Sequence, residues 1–280
     1  MQRGARSRIE YKDVDEARCA YRTSISMKRN RRKHQKFLQG SRYKSIFFEC
    51  SYEIDVRKYG GMIDLNITLD KDKLTTLKIR DLSGEFQAMK VIKEFSENSN
   101  KDSEARCASG DSGNMFAFGY NNSTYGDYVS MKDSKMEIRK YSTTARKLLD
   151  RYFKDEVREI MNADKSQKVT PSEAMGGDNG ISAYTLVSRD LINAAHYDLD
   201  TSVGISIFTE KIPGKSTNWF FVLPNTTVNG KSDKKAVIIK LFDGCTLSWD
   251  GRKVYHCTAT DDVGDGNHVY GNYWGGKKYR

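Results

Sequence analysis

The chain has 280 residues, enough for one large domain or two small ones with a sizeable buried core. Its five scattered cysteines contain no C-x-x-C pair, which argues against a disulfide framework and a structural zinc site and indicates a reducing compartment. There is no N-terminal signal-peptide core and no apolar run long enough for a membrane span. We therefore expect an intracellular protein, nuclear or cytoplasmic, that is neither secreted nor membrane-bound.

The net charge of +10 is concentrated at the N-terminus. Residues 1–36 hold twelve Lys or Arg and four Asp or Glu, a net charge of +8, so the rest of the chain carries only +2. The densest run contains Lys28, Arg29, Arg31, Arg32 and Lys33. We predict that residues 1–40 form a basic, flexible arm that neutralises nucleic-acid phosphates or directs nuclear import; the alternative is a solvated tail without a specific partner.

Residues 41–135 are predicted to form strands and a helix that pack on a larger core. The aromatic and β-branched segment 45–56 and the alternating segment 62–69 flank a Gly60-Gly61 turn, which predicts a hairpin. Apolar residues on one side of 83–95 predict a helix. The polar stretches 96–103 and 109–113 are predicted to be loops.

Residues 136–280 are predicted to form the main core. A Ser/Thr cap followed by an apolar stripe predicts one amphipathic helix over 142–161, most simply a support packed on a sheet. Beyond residue 182, short strands alternate with Pro-Gly, Asn-Gly and Asp-Gly turns, which is typical of a barrel or sandwich of jelly-roll type. We predict strands at 183–187, 204–209, 218–223, 236–241, 245–249, 253–258 and 268–274.

The clearest candidate for chemistry is His196-Tyr197-Asp198. In an extended strand residues i and i+2 point to the same face, so His196 and Asp198 would project side by side with Tyr197 turned away. They would supply two ligands of a 2-His-1-carboxylate triad for Fe(II), with His256, 58 residues beyond Asp198, as the third. The alternative is a set of ordinary histidines near an unrelated aspartate.

These segments resemble the Fe(II)/2-oxoglutarate-dependent dioxygenases over roughly residues 180–275. The resemblance rests on the segments 191–198, 204–208, 221–224 and 237–250, which lead to His256. It implies an α+β, mainly β fold with a double-stranded β-helix (jelly-roll) core, supporting helices and an N-terminal α/β extension. The layout is most similar to the branch that oxidises thymine or 5-methylcytosine, and more loosely to the prolyl hydroxylases, which share the His-Tyr-Asp tripeptide.

The chain departs from the family at the residue that holds the distal carboxylate of 2-oxoglutarate. The family usually places an Arg or Lys shortly after the distal histidine, whereas His256 is followed by the acidic pair Asp261-Asp262. The candidates for this role are Arg252, His268 and Lys277, with Lys240 as a further basic residue on another strand. The remaining alternative is a different co-substrate.

The resemblance implies Fe(II), with 2-oxoglutarate as co-substrate, and oxidation of a C–H bond in a macromolecule, with a base of DNA or RNA slightly favoured. A protein side-chain hydroxylase is one alternative, and a non-catalytic cupin-like protein that binds nucleic acid through its arm is another; oligomeric state is left open.

Asn193 and Tyr255 are candidates to orient the histidines. Four aromatic residues, Trp219, Phe220, Trp249 and Trp274, either line the pocket or fill the core.

Overall fold

The computed structural model describes residues 51–68, 74–102, 114–119, 135–191, 196–215, 219–228, 235–260 and 267–276. The predicted basic arm at 1–40 lies outside the described residues. Within the described part of the chain, no helix is long and apolar enough to cross a membrane.

Eleven strands of the described residues carry most of the fold. They are β1 (Ser51–Ile54), β2 (Met62–Thr68), β3 (Leu74–Asp81), β4 (Asn114–Gly119), β5 (Tyr184–Arg189), β6 (Gly204–Glu210), β7 (Trp219–Val228), β8 (Lys235–Lys240), β9 (Cys245–Trp249), β10 (Cys257–Thr260) and β11 (Val269–Gly275). Three α-helices of the described residues join them: α1 (Phe86–Asp102), α2 (Lys135–Tyr152) and α3 (Lys154–Ser166). The seven strands predicted after residue 182 are therefore present, with boundaries shifted by up to five residues.

The strands form two layers that are continuous through β7. The larger layer has the order β2-β3-β9-β6-β11-β5-β4, and the smaller one has β1-β8-β7 with β10 paired to the other edge of β7. All of these pairings are antiparallel except the parallel pair of β1 with β8. Apolar side chains from both layers, such as Leu77, Leu247, Phe221 and Ile239, meet between them in one buried cluster. This is the arrangement expected of a jelly roll.

The helices cover the opposite face of the larger layer. Tyr270 and Trp274 of β11 and Ile205 of β6 turn away from the inter-sheet core and pack with Leu148 and Ile160 of α2 and α3. Adjacent strand residues thus serve two separate cores, since strand side chains alternate between faces. One half of the larger layer is therefore buried on both sides, and its strands lack the polar face that marks a solvated sheet.

The segment predicted as a single helix at 142–161 is divided. Helix α2 ends at Tyr152 and α3 begins at Lys154, with Phe153 between them at φ −140° and ψ 40°. The Phe153 side chain is fully buried, and the Arg80 guanidinium lies 5.6 Å from the centre of its ring. The apolar stripe continues across the break, so its spacing alone did not reveal that the helix is interrupted.

Two other predictions for the N-terminal region were wrong. The predicted hairpin of 45–56 with 62–69 does not form, because β1 pairs with β8 while β2 pairs with β3 and β7. Residues 96–102, predicted to be a loop, extend α1, where Ser96 and Ser99 are buried. Their hydroxyls donate to the carbonyls of Ile92 and Ser96, at 2.8 and 2.6 Å, so polar residues that favour loops are satisfied inside the helix.

Candidate metal centre

His196 and His256 are brought together by backbone pairing. The His196 N–H donates to the His256 carbonyl at 2.9 Å, and the His256 N–H donates to the His196 carbonyl at 3.1 Å. These reciprocal bonds form an isolated antiparallel bridge immediately before β10. Directly opposed residues in such a pair project to the same side, and the two imidazole centres are 4.6 Å apart.

Asp198 projects to the same side two residues later. Its N–H donates to the Gly251 carbonyl at 2.8 Å, which keeps the segment extended beside the turn after β9. The Asp198 carboxylate lies 3.3 Å from His196 Nε2 and 3.5 Å from His256 Nε2. Ligand atoms of the three residues all lie within 4.8 Å of one another. Cis ligands about 2.1 Å from an octahedral ion lie roughly 3 Å apart, so this spacing suits one metal ion.

Gly251 leaves the space that the Asp198 carboxylate occupies. A Cβ placed on Gly251 would overlap Asp198 Oδ2 and crowd Asp198 Cγ at 2.7 Å. An Asp-Gly pair is a typical turn signal, so the turn alone accounts for Gly251 in the sequence. The contact with the Asp198 carboxylate is a second reason for glycine at this position, and only the tertiary structure reveals it.

His256 is held in the protonation state that a metal ligand needs. Its Nδ1 lies 2.9 Å from the Val254 carbonyl, which can only accept, so Nδ1 carries the hydrogen and Nε2 offers its lone pair. Burial lowers the pKa of His256 to about 4, although the nearby Asp198 opposes this shift. The imidazole is therefore neutral near pH 7 in the metal-free protein. The side chain of His196 is 38% exposed, so the centre opens on its side.

Aromatic rings enclose the buried side of the centre. Phe221 stacks on the His256 ring at 5.3 Å between centres, and Trp249 meets it edge-on at 5.2 Å. Trp249 Nε1 is buried and has no hydrogen-bond partner among the described residues, so an indole N–H donor remains beside His256. Of the four aromatic candidates, Trp249 contacts the triad, whereas Trp274 stacks on Tyr141 among the helices.

The buried Asp200 and the half-buried Tyr273 form a pair close to the same centre. The Tyr273 hydroxyl donates to Asp200 Oδ2, and its ring lies 5.7 Å from that of Trp249. Burial, followed by the charges of Asp200 and Asp198, raises the pKa of Tyr273 well above its usual value. Strand alternation places Asp200 on the same side as Asp198. This alternation is visible in the sequence, but it does not show that Asp200 pairs with Tyr273.

Two of the candidates for binding a co-substrate carboxylate, Arg252 and His268, are each bound to a carboxylate of the protein itself. The Arg252 guanidinium makes a two-bond contact with Asp250, at 2.7 and 2.8 Å, and a 2.7 Å bond to the Thr201 carbonyl. His268 Nδ1 lies 2.7 Å from Asp190 Oδ2, next to the start of β11 rather than its end at Gly275. Lys277 lies outside the described residues, so its candidacy stays a prediction.

Other predicted site residues have different positions. Tyr255 packs against Tyr197, with ring centres 5.1 Å apart, on the side of the paired segments away from the candidate metal ligands. Asn193 lies outside the described residues, as does the basic cluster Lys28, Arg29, Arg31, Arg32 and Lys33. The partner that orients His256 is the Val254 carbonyl, which sequence inspection missed because any residue type provides a backbone acceptor.

No protein-family model and no curated protein matches the chain. Among solved structures, that of NgTET1 in complex with 5mC DNA matches 75% of this chain and 74% of its own, with 12% identity and a TM-score of 0.52. The chain has the double-stranded β-helix fold. A Pseudomonas putida prolyl-4-hydroxylase matches 68% of the chain and 88% of its own at 9% identity, with a TM-score of 0.33. JOX2 in complex with 2OG, Fe and JA matches 69% and 64% at 14% identity, with a TM-score of 0.38. This fold, shared with the first of these structures, agrees with the resemblance of the sequence.

Proposed function

We propose that this chain is an Fe(II)- and 2-oxoglutarate-dependent dioxygenase that hydroxylates a C–H bond of a macromolecular substrate. The observation that carries the proposal is the convergence of His196, Asp198 and His256 at one opening of a double-stranded β-helix. Two imidazoles and one carboxylate on one face are the donor set of the non-haem Fe(II) oxygenases, and they leave coordination positions open.

The chain's own residues perform three tasks in this proposal. The paired backbones of His196 and His256 fix the spacing of the two imidazoles, and Val254 fixes the tautomer of the second. Phe221 and Trp249 exclude water from the buried side. When bound, the iron supplies O₂-dependent oxidation of the substrate, coupled to decarboxylation of 2-oxoglutarate.

A nucleic-acid base is the favoured substrate. Tyr197 and Leu199 flank Asp198 on the outer face of the extended segment and are 40% and 91% exposed, which provides an aromatic and an apolar surface next to the opening. Enzymes that act on a base take it out of the stack and hold it between such side chains. The 5mC DNA bound in the NgTET1 structure and the basic N-terminal cluster support the same choice.

The metal assignment is tested by anaerobic Fe(II) titration with and without 2-oxoglutarate, following the weak visible charge-transfer band of the ternary complex. We expect a band that needs both components and disappears in His196→Ala and Asp198→Ala. The matched control is His268→Ala, which removes a histidine from the separate pair with Asp190 and should leave iron binding intact. Weaker 2-oxoglutarate binding in this variant would identify His268 as the carboxylate anchor.

The outcomes separate the parts of the proposal. Iron binding without a 2-oxoglutarate-dependent band would retain the triad and exclude this co-substrate. A folded wild-type protein that binds no iron would overturn the enzyme assignment. Mass spectrometry of methylated duplex DNA and of protein substrates, after incubation with the loaded enzyme, then distinguishes base oxidation from protein side-chain hydroxylation.

A further inference from the structure

A cleft of roughly 440 Å³ lies between α2 and α3, on the outer side of the helical layer. Its lining contains four cations and one carboxylate, a net charge of +3. The charged lining residues are Arg146 and Asp150 of α2 and Lys154, Arg158 and Lys165 of α3. The triad does not use this cleft, and the function proposed above assigns no role to it.

The cations of α3 form a line along one face of the helix. Lys154, Arg158, Asn162 and Lys165 follow one another at intervals of four, four and three residues, which is the spacing of a single helical face. Eleven residues separate the first from the last, a rise of about 16 Å at 1.5 Å per residue. That length matches about five nucleotides of one DNA strand, whose phosphates follow one another at roughly 3.4 Å along the helix axis.

The charge of the cleft is only partly neutralised within the protein. Arg146 is fixed by Asp150 at 2.6 Å and by the Gly180 carbonyl at 2.9 Å, which accounts for the one carboxylate of the lining. Arg158 pairs with Asp155 at 3.2 Å, but both side chains are largely exposed, and such pairs are weak. Lys154 and Lys165 form no ion pair with any residue that the structure describes.

Three of the acidic side chains of α3 are bound elsewhere. Glu156 accepts from Lys78 Nζ at 2.6 Å beneath the helix, and Glu159 accepts from the Val203 N–H at 3.0 Å. The buried Asp164 accepts from the Ala183 N–H at 2.8 Å. The helix has nearly balanced charge in its sequence, yet its bases line the cleft while these acids turn towards the sheet and its loops.

The same helix is joined to the metal-bearing end of the barrel. Glu159 lies 3.5 Å from Arg252, which donates to the Thr201 carbonyl at 2.7 Å. Arg252 directly follows Gly251, whose carbonyl accepts from the Asp198 N–H. Glu159, which does not line the cleft, therefore connects the helix that carries the cations to the loop beside Asp198.

We propose that the α2–α3 cleft binds backbone phosphates of a nucleic-acid substrate. The inference rests on the proposed function, because it assumes that the oxidised macromolecule is a nucleic acid. A linear array of incompletely paired cations favours a polyanion over a single small anion, since several phosphates are neutralised at once and their counterions are released. The cleft then positions the strand, while the residues around the triad select the base.

The test compares two triple variants of the full chain. The cleft variant is Lys154→Gln/Arg158→Gln/Lys165→Gln, and the control Lys90→Gln/Lys140→Gln/Lys211→Gln removes three exposed charges outside the cleft. Binding of a fluorescent 20-base-pair duplex is measured as a function of salt concentration. Removing three phosphate contacts should flatten the slope of log K against log salt by about 2.7 and weaken binding at 0.1 M salt at least about tenfold.

An equal loss of slope in the two triple variants would overturn the proposal, because it would show only a general effect of net charge. Wild-type protein that binds no duplex at any salt concentration would overturn it as well. If the triple variant does not fold, as judged by circular dichroism, Lys154→Gln/Lys165→Gln serves instead, with an expected loss of about 1.8 in slope.

The iron titration keeps this result separate from the proposed enzyme activity. The cleft variant should retain the Fe(II)–2-oxoglutarate band, whereas His196→Ala should lose the band and keep its affinity for the duplex. A retained band without duplex binding would leave the oxygenase assignment in place and remove the nucleic-acid partner. Duplex binding without iron binding would retain the nucleic-acid partner and overturn the oxygenase assignment.

Discussion

Gly251 and Asp198 show how closely one residue can constrain the proposed metal centre. Any side chain at position 251 meets the Asp198 carboxylate, which must point at the two histidines for the triad to form. We therefore expect Gly251→Ala to weaken Fe(II) affinity at least about tenfold, the order of change seen when a ligand's supporting contacts are lost, while the protein remains folded. Isothermal titration calorimetry under anaerobic conditions measures this change.

Gly84→Ala is the matched control for this substitution. A Cβ at Gly84 meets nothing within 4 Å, and its backbone is not in the left-handed region. Its iron affinity should equal that of the wild type. Unchanged affinity in Gly251→Ala would show that the Asp198 carboxylate can move aside and still bind, which would contradict the requirement for glycine at position 251.

The buried imidazole of His256 makes the stability of the metal-free protein depend on pH. Burial lowers its pKa to about 4, below the value of about 6.5 in an unfolded chain, so the unfolded state binds more protons between these two pH values. The free energy of unfolding should therefore rise as the pH increases from 4 to 6.5 and then level off with respect to this group. Urea unfolding of chelator-treated protein across this range measures the effect.

His256→Gln removes the titrating group from this comparison and should flatten the rise. The variant loses its own packing, so the slope against pH is compared rather than the absolute stability. An identical slope in the wild type and the variant would show that other groups account for the dependence. A rise in stability towards pH 4 would contradict the direction of the shift.

At the scale of the element, the extended segment 196–200 separates two roles by alternation. His196, Asp198 and Asp200 face inward, and Tyr197 and Leu199 face outward at 40% and 91% exposure. We expect Tyr197→Ala/Leu199→Ser to lower kcat/KM for the macromolecular substrate about tenfold while the Fe(II)–2-oxoglutarate band persists. A loss of this size corresponds to about 1.4 kcal/mol of transition-state stabilisation, well within the range of one lost stacking contact.

The control for this pair is Ile212→Ser, which removes a 45% exposed apolar side chain from the turn after β6. It should leave both the band and the turnover unchanged. Equal turnover in the wild type and the Tyr197/Leu199 variant would remove these residues from the substrate surface. Loss of the band in that variant would instead show that the outer face supports the metal ligands.

In α2 and α3, the periodicity of apolar residues predicts which side chains are buried but not where the helix is interrupted. Leu148, Leu149, Val157 and Ile160 are all buried, as their spacing predicted. The break at Phe153 has no Pro or Gly to announce it, and the apolar stripe passes through it. At the break, the fully buried Phe153 lies beneath Arg80, a contact to a residue more than 70 positions away.

At the scale of the whole molecule, a metal ion would link the His196 segment to the strand that begins after His256. An ion that binds only the folded state stabilises it by RT ln(1 + [L]/Kd), about 2.7 kcal/mol at a hundredfold excess over Kd. We therefore expect anaerobic Fe(II) at that excess to raise Tm by about 5–10 °C. Differential scanning calorimetry measures the shift, and Asp198→Ala should show none.

Asp190→Ala provides the control for the thermal shift, because Asp190 pairs with His268 away from the triad. It should keep the full metal-induced increase even if its starting Tm differs. An equal increase in Asp198→Ala and the wild type would show that the ion binds elsewhere on the protein. No increase in either would contradict metal binding by the triad.

The sequence by itself determined the strand-rich core after residue 182, the turns between its strands and the His196-x-Asp198 pattern. These depend on local chemistry, since glycine and proline set turns and alternation sets faces, so nearby residues contain the information. The resemblance built on them led to the double-stranded β-helix fold. The same local reasoning failed for β1, whose parallel partner β8 lies about 180 residues away.

Only the tertiary structure decided which residues meet. The tertiary structure pairs His196 with His256 and places Gly251 against Asp198. In it Arg252 binds Asp250 and the Thr201 carbonyl. Strands β2 and β3 lie between β7 and β9. The tertiary structure also gathers the cations of α3 on one side by turning Glu156, Glu159 and Asp164 towards partners in the sheet and its loops. Each of these outcomes depends on contacts between residues distant in sequence, whose energies no local pattern contains.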